Sequence, residues 1–192
     1  MLKYISALLL FGLFSCSDNE LLIPKPSTFL RTDLPAHTYE KLKENLPYTF
    51  ELSNVYFAKP VLFRNEKTNH LEINLGKLNG VLYLNYYPIA NRDSLVRYIN
   101  LSNDKVDEHQ IKATGIKDKQ LIINNKRVFG TFFMFKGNVA TNYQFYLTDS
   151  VHHFIRGEVL MNCRPNYDSL KPSLNYIQQD LEHLFETFEW KK

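Results

Sequence analysis

Apolar residues change their spacing several times along this chain, and each change predicts an element. Tyr39 to Asn45 suits a helical turn or two that Pro47 ends, and Tyr48 to Leu52 reads as a strand. Leu71-Glu72-Ile73-Asn74-Leu75 is apolar at every second residue, the period of a half-buried strand. Gly76 to Gly80 forms a loop, and Val81 to Tyr87 completes a hairpin. From Asn91 the period lengthens. Leu95, Tyr98, Ile99, Ser102, Val106, His109 and Ala113 recur at helical spacing, with Asn91 as N-cap and Gly115 as the stop.

The next fifty residues predict a four-stranded antiparallel meander. Leu121 to Ile123 turns at Asn124-Asn125 into Val128 to Phe135. Asparagine tolerates positive φ, which a two-residue turn requires. Gly137-Asn138 makes the next reversal, before Val139 to Thr148, and Asp149-Ser150 the third, before Val151 to Cys163. Val128, Phe132 and Met134 point one way and Phe129, Phe133 and Phe135 the other, so this strand expects cover on both faces. The last segment supplies one cover. Pro172 suits a first helical turn, and Leu174, Ile177, Leu181, Leu184, Phe185 and Phe188 make one apolar stripe opposite Gln178, Gln179, Glu182 and Glu186. The fold class expected is α+β: an antiparallel sheet, a meander plus a hairpin, packed by helices.

The N-terminus sets the compartment. Lys3 precedes an apolar run from Ile5 to Phe14, broken by Ser6 and Gly12. That is the form of a secretory signal peptide, and it is shorter than the roughly 20 residues of a membrane span. Leu13-Phe14-Ser15-Cys16 reads as a lipobox, with cleavage after residue 15 and lipid chains on Cys16. Several acyl chains hold a protein to a bilayer far more firmly than one. Residues 16–26, with Pro24 and Pro26, read as a tether, and residues 27–192 as one domain. Lys3 is the only charge lost with the signal, so the formal net charge falls from +3 to +2. Such a balance argues against a nucleic-acid partner. With Cys16 acylated, Cys163 has no internal disulfide partner and is expected as a buried small apolar residue.

Pro24-Lys25-Pro26, the run from Phe29 to Tyr39, Pro47-Tyr48-Thr49-Phe50-Glu51, Tyr56-Phe57-Ala58 and the runs 136–141, 144–150, 153–157, 165–172 and 180–190 stand in one order. That ordered set resembles the gliding motility lipoprotein GldD family of Bacteroidota over nearly the whole mature chain. Ser27-Thr28 stand where the family has Arg-Gly. Leu46 and, roughly, Asn69 stand where it often has cysteines, so the resemblance implies a disulfide lost here as a pair. It also implies a role in gliding motility and the linked type IX secretion machinery, with envelope proteins as partners and the membrane reached through Cys16. No enzymatic activity, cofactor or metal is implied. A periplasm-facing position is expected. The element order is also similar to the PsbP/Mog1-like α/β/α sandwich.

Candidate chemistry is sparse. There is no G-x-S-x-G elbow, Gly-rich phosphate loop or H-E-x-x-H. His152 and His153 are adjacent on a strand edge, so they point to opposite faces. His183, Asp180 and Glu186 are expected as an exposed helical charge cluster. Arg31, Asp33 and His37 follow the tether, either as a partner-docking segment or as local salt bridges. Gly137 and Asn138 form either a recognition loop or a plain turn. Besides an envelope lipoprotein working by protein contacts, two readings stay open. A ligand-binding module for a glycan or small molecule needs a deep apolar pocket, and a hydrolase needs a paired nucleophile and base in a cleft.

Overall fold

The computed structural model describes residues 33–64 and 66–191. The signal peptide, Cys16, the tether and Arg31 lie outside the described residues. Among the described residues, eleven strands and two α-helices follow in order. They are β1 (Tyr39–Lys41), β2 (Tyr48–Thr49), β3 (Glu51–Ser53), β4 (Phe57–Phe63), β5 (Glu66–Asn74), β6 (Gly80–Pro88), α1 (Arg92–Gln110), β7 (Gly115–Ile123), β8 (Val128–Lys136), β9 (Thr141–Thr148), β10 (His153–Met161), α2 (Tyr167–Thr187) and β11 (Glu189–Trp190). Seven of them form one antiparallel sheet in the order β4-β5-β6-β10-β9-β8-β7. The expected meander is β7 to β10, and the expected hairpin, β5-β6, joins it through β6-β10. The fold is α+β.

Cover on both faces of β8 is found as the sequence predicts. Phe132 and Phe135 are three residues apart, so they point to opposite faces. Phe132 meets Phe185 of α2 with ring centroids 5.2 Å apart, and Phe135 meets His109 of α1 at 6.0 Å. The α2 side holds the main core, where the whole stripe from Leu174 to Phe188 is buried against Phe132, Phe145, Leu147, Ile155 and Val159. Tyr48 and Phe50 enter the same core from the N-terminal strands. The α1 side is thinner, with Val106, Phe135 and Val139 as a small separate cluster. Phe145 lies over Gly157, its cross-strand partner, where any Cβ would strike the ring. Tyr48 Oη donates to the Asn69 carbonyl at 3.0 Å, so the chain just after Leu46 lies against β5 at Asn69.

Several local expectations are corrected. Tyr39 to Asn45 is not helical. Tyr39–Lys41 is a strand paired with β3, because this stretch lacks a helical apolar stripe and has a ready sheet edge to join. The strand expected over Tyr48–Leu52 divides at Phe50: β2 pairs with β11 and β3 with β1. Gly115 does not close α1. The helix stops at Gln110, and Gly115 begins β7. The turn after β7 is a 3-10 turn over Asn124–Lys126, with the positive φ on Arg127 rather than on asparagine. Strand β10 starts at His153 and stops at Met161, inside the bounds expected. Pro172 sits inside α2, which begins at Tyr167 with Asn166 as its cap. Cys163 is exposed, because the chain leaves the sheet at Met161, before it.

Candidate functional site

Asp180 is the focus of the side-chain chemistry. Its place in α2 is three residues after Ile177 and four before Leu184, so helical periodicity turns it inward with the apolar stripe. It is 7% exposed, not part of an exposed charge cluster as the sequence suggests. A buried carboxylate needs donors, and the N-terminal segment supplies them. Tyr56 Oη donates to Asp180 Oδ2 at 2.5 Å, and Tyr39 Oη to Oδ1 at 2.9 Å. His37 Nδ1 lies 2.7 Å from Oδ1 and, facing an acceptor, serves as its third donor. Burial, then the hydrogen bond to Asp180, pushes the Tyr56 and Tyr39 hydroxyls well above the usual tyrosine range. Both phenols therefore stay protonated and donating.

Aromatic rings hold this arrangement in place. The His37 ring stacks on Tyr176 at 4.1 Å, and the Tyr39 ring on His183 at 3.7 Å. His183 Nε2 in turn lies 2.7 Å from Glu51 Oε2 on β3. A cavity of about 10 Å³ lies beside Asp180, between Ser53, Tyr56, Leu181 and Leu184. That volume suits one water molecule, not a substrate. Each oxygen of Asp180 already accepts a tyrosine hydroxyl, so the carboxylate is not presented as a base.

A second node sits at the turn between β9 and β10. Asp149 Oδ1 accepts backbone N–H bonds from Val151, His152 and His153 at 2.8–2.9 Å. Burial alone raises this carboxyl, but the three N–H donors outweigh it and hold it below the usual range. His153 Nδ1 is 2.7 Å from Tyr86 Oη, and its ring stacks on Trp190 at 5.1 Å. Asp149, His153 and Trp190, with Lys126, Arg127 and Lys191, line a solvent-open hollow of about 510 Å³. On the α1 side, Tyr87, Tyr98, Phe154, Lys105 and Arg156 line a groove of about 210 Å³. Arg156 is held there by Glu158 at 2.8 Å.

Asp33 is exposed, and His37 turns inward to Asp180. Gly137 takes φ +106°, the left-handed region that favours glycine. Asn138 Oδ1 accepts the Tyr167 N–H at 2.8 Å and so fastens the start of α2. The sequence reading missed Asp180, Tyr39 and Tyr56 as a unit. A carboxylate in the middle of an apolar stripe was the available signal.

The family model for the gliding motility lipoprotein GldD matches residues 19–190. The chain belongs to that family. Membership associates it with gliding motility and makes it a membrane-anchored lipoprotein of the cell envelope. No helix among the described residues is long and apolar enough to cross a membrane. No curated protein matches the chain. Among solved structures, it is similar to the solution structure of cyanobacterial PsbP (CyanoP) from Synechocystis sp. PCC 6803. The identity is 8%, covering 84% of this chain and 97% of that one, with a TM-score of 0.45.

Proposed function

We propose that this protein is a non-catalytic envelope lipoprotein that supports the gliding and type IX secretion machinery through protein contacts from a periplasm-facing position. The observation that carries the reading is the family match across residues 19–190. The site chemistry supports it. Asp180, the buried carboxylate best placed for acid–base work, is bound by Tyr39, Tyr56 and His37 and fastens the membrane-proximal segment to α2. A group used in this way stabilises a scaffold.

The ligand-binding alternative draws on the groove at Tyr87, Tyr98 and Phe154, whose aromatic walls and Arg156 suit a sugar or small anion. This groove, at about 210 Å³, is below the roughly 300–1,000 Å³ of common ligand pockets, and the larger hollow at Asp149 and His153 lies open to solvent, so we rank this reading second.

The test is complementation of a gliding host that lacks its own copy. The wild-type chain should restore both spreading and type IX export. Cys16→Ser should restore neither, while Arg156→Ala and Tyr98→Ala in the groove should behave as wild type. Full complementation by Cys16→Ser would remove the anchored reading. Loss of function confined to the groove variants would favour the ligand-binding one.

A further inference from the structure

A two-stranded arm projects beyond the main sheet. β5 pairs with β6 only from Leu71 to Asn74, while its ladder with β4 runs on to Glu66. Where the β5-β6 ladder ends, the Tyr86 N–H turns to His70 Nδ1 at 3.0 Å. Among the described residues, the outer part of the β4-β5 hairpin therefore has no third strand. Its sequence confirms the isolation in a simple way. Leu62 and Phe63 are consecutive, so they point to opposite faces, yet they are 60% and 65% exposed. Two successive large apolar residues are both bare only where neither face of a ribbon is covered. The Arg64 guanidinium lies 5.3 Å from the Phe63 ring centroid, and Lys67 stands opposite Leu62 in the ladder.

We propose that this arm dips into the surface of the bilayer that carries the anchor. Leu62 and Phe63 enter the boundary between headgroups and acyl chains, and Arg64 and Lys67 meet lipid phosphates. The proposal rests on the membrane-anchored reading. Two observations favour a bilayer over another occupant. The apolar pair is flanked by cations on long stems, Arg64 next in sequence and Lys67 opposite Leu62, which outnumber the single anion there, Glu66 opposite Phe63; such stems keep their charge in the headgroup layer while their carbons lie along apolar surface. Both strand edges of the arm suit a partner strand poorly: on β4, Pro60 offers no N–H and the register shifts between Pro60 and Leu62, and on β5, Tyr48 Oη already holds the Asn69 carbonyl and the Tyr86 N–H the His70 ring. Residues 17–32 and their flanking bonds bound the distance from the anchor to the described body at roughly 55–60 Å, at about 3.3–3.6 Å per residue.

Two apolar side chains alone would not hold a free protein on a membrane. A tethered one differs, because a link of limited length raises the local concentration, to the order of millimolar, where weak insertion suffices. The arm would then fix which side of the body faces the lipid and which faces outward to partners.

The experiment uses the full-length lipidated protein in vesicles of phosphatidylethanolamine and phosphatidylglycerol. In a Cys163→Ser background, Phe63→Cys and Ile111→Cys are labelled singly with bimane, and nitroxide-bearing lipid is the quencher. Ile111 is 85% exposed and serves as the reference. We expect quenching at residue 63 to exceed that at residue 111 about threefold or more, as for an interfacial segment. Leu62→Asp in the Phe63→Cys chain should bring it down to the reference. Equal quenching at both positions, with the protein co-floating with the vesicles, would overturn the arm and leave the anchor intact. Failure to float would overturn the anchored reading and the arm with it. Quenching at residue 63 that appears only when other envelope proteins are added would assign the arm to a protein partner and overturn the proposal.

Discussion

His37 and Asp180 are 143 residues apart in sequence and 2.7 Å apart in the fold. The N-terminal part of the described body is thus fastened to α2 at a buried carboxylate, with Tyr39 and Tyr56 completing the knot. Removing the carboxylate would leave three donors without their acceptor. We expect Asp180→Ala to lower unfolding free energy by about 3 kcal/mol or more, and Asp180→Asn by less. Urea denaturation of the mature protein at pH 7 measures both. A loss under about 1 kcal/mol for Asp180→Ala would mean that the knot contributes little.

Gly157 makes a second, independent prediction. The Phe145 ring occupies the space of the missing side chain and also packs on Phe185 with centroids 4.9 Å apart. Gly157→Ala should destabilise by roughly 2–3 kcal/mol through overpacking. Adding Phe145→Leu should recover part of that loss, which thermal melts of the single and double variants would show.

Stability should also fall in mild acid. Burial lowers the pKa of His70, His109 and His153 below the ordinary imidazole range. Below about pH 6.5 the unfolded chain takes up protons that the folded chain resists. Their full contribution is therefore present above that pH and is lost as pH falls through the folded values. Asp149, whose carboxyl is held low, adds a further loss beginning below about pH 4. The Tm should drop steadily from pH 7 to 5, and more shallowly for His109→Gln. A flat profile over that range would contradict these histidine environments.

Cys163 tests exposure and lipidation together. It is exposed, so maleimide should modify the native mature protein once. An acylated Cys16 adds no second site. Intact-mass spectrometry would read one adduct, whereas two adducts would show an unlipidated Cys16.

The fold's legibility in the sequence followed the strength of each periodic signal. The α2 stripe from Leu174 to Phe188 and the meander turns at Gly137 and Asp149 were readable because burial imposes a period and tight reversals need particular residues. Edge strands were not. β7 carries Lys117-Asp118-Lys119-Gln120, all exposed, so only its end at Leu121 looked like a strand. β4 contains Pro60, and β1 is a short strand defined by pairing with β3 rather than by its own pattern. The Asp180 knot was hidden for another reason. Its members come from three separate segments, and sequence spacing reveals only neighbours on one element. The resemblance to the family was legible because many weak motifs kept one order.

Contact with the envelope machinery is the central claim, and crosslinking in living, gliding cells tests it most directly. Photoreactive residues would be placed at exposed positions on different faces, such as Ile111, Ile122 and Val151, and captured species identified by mass spectrometry. The account predicts discrete adducts with proteins of the gliding and secretion apparatus from at least one face. Adducts with sugars or lipids alone, from every face, would contradict it.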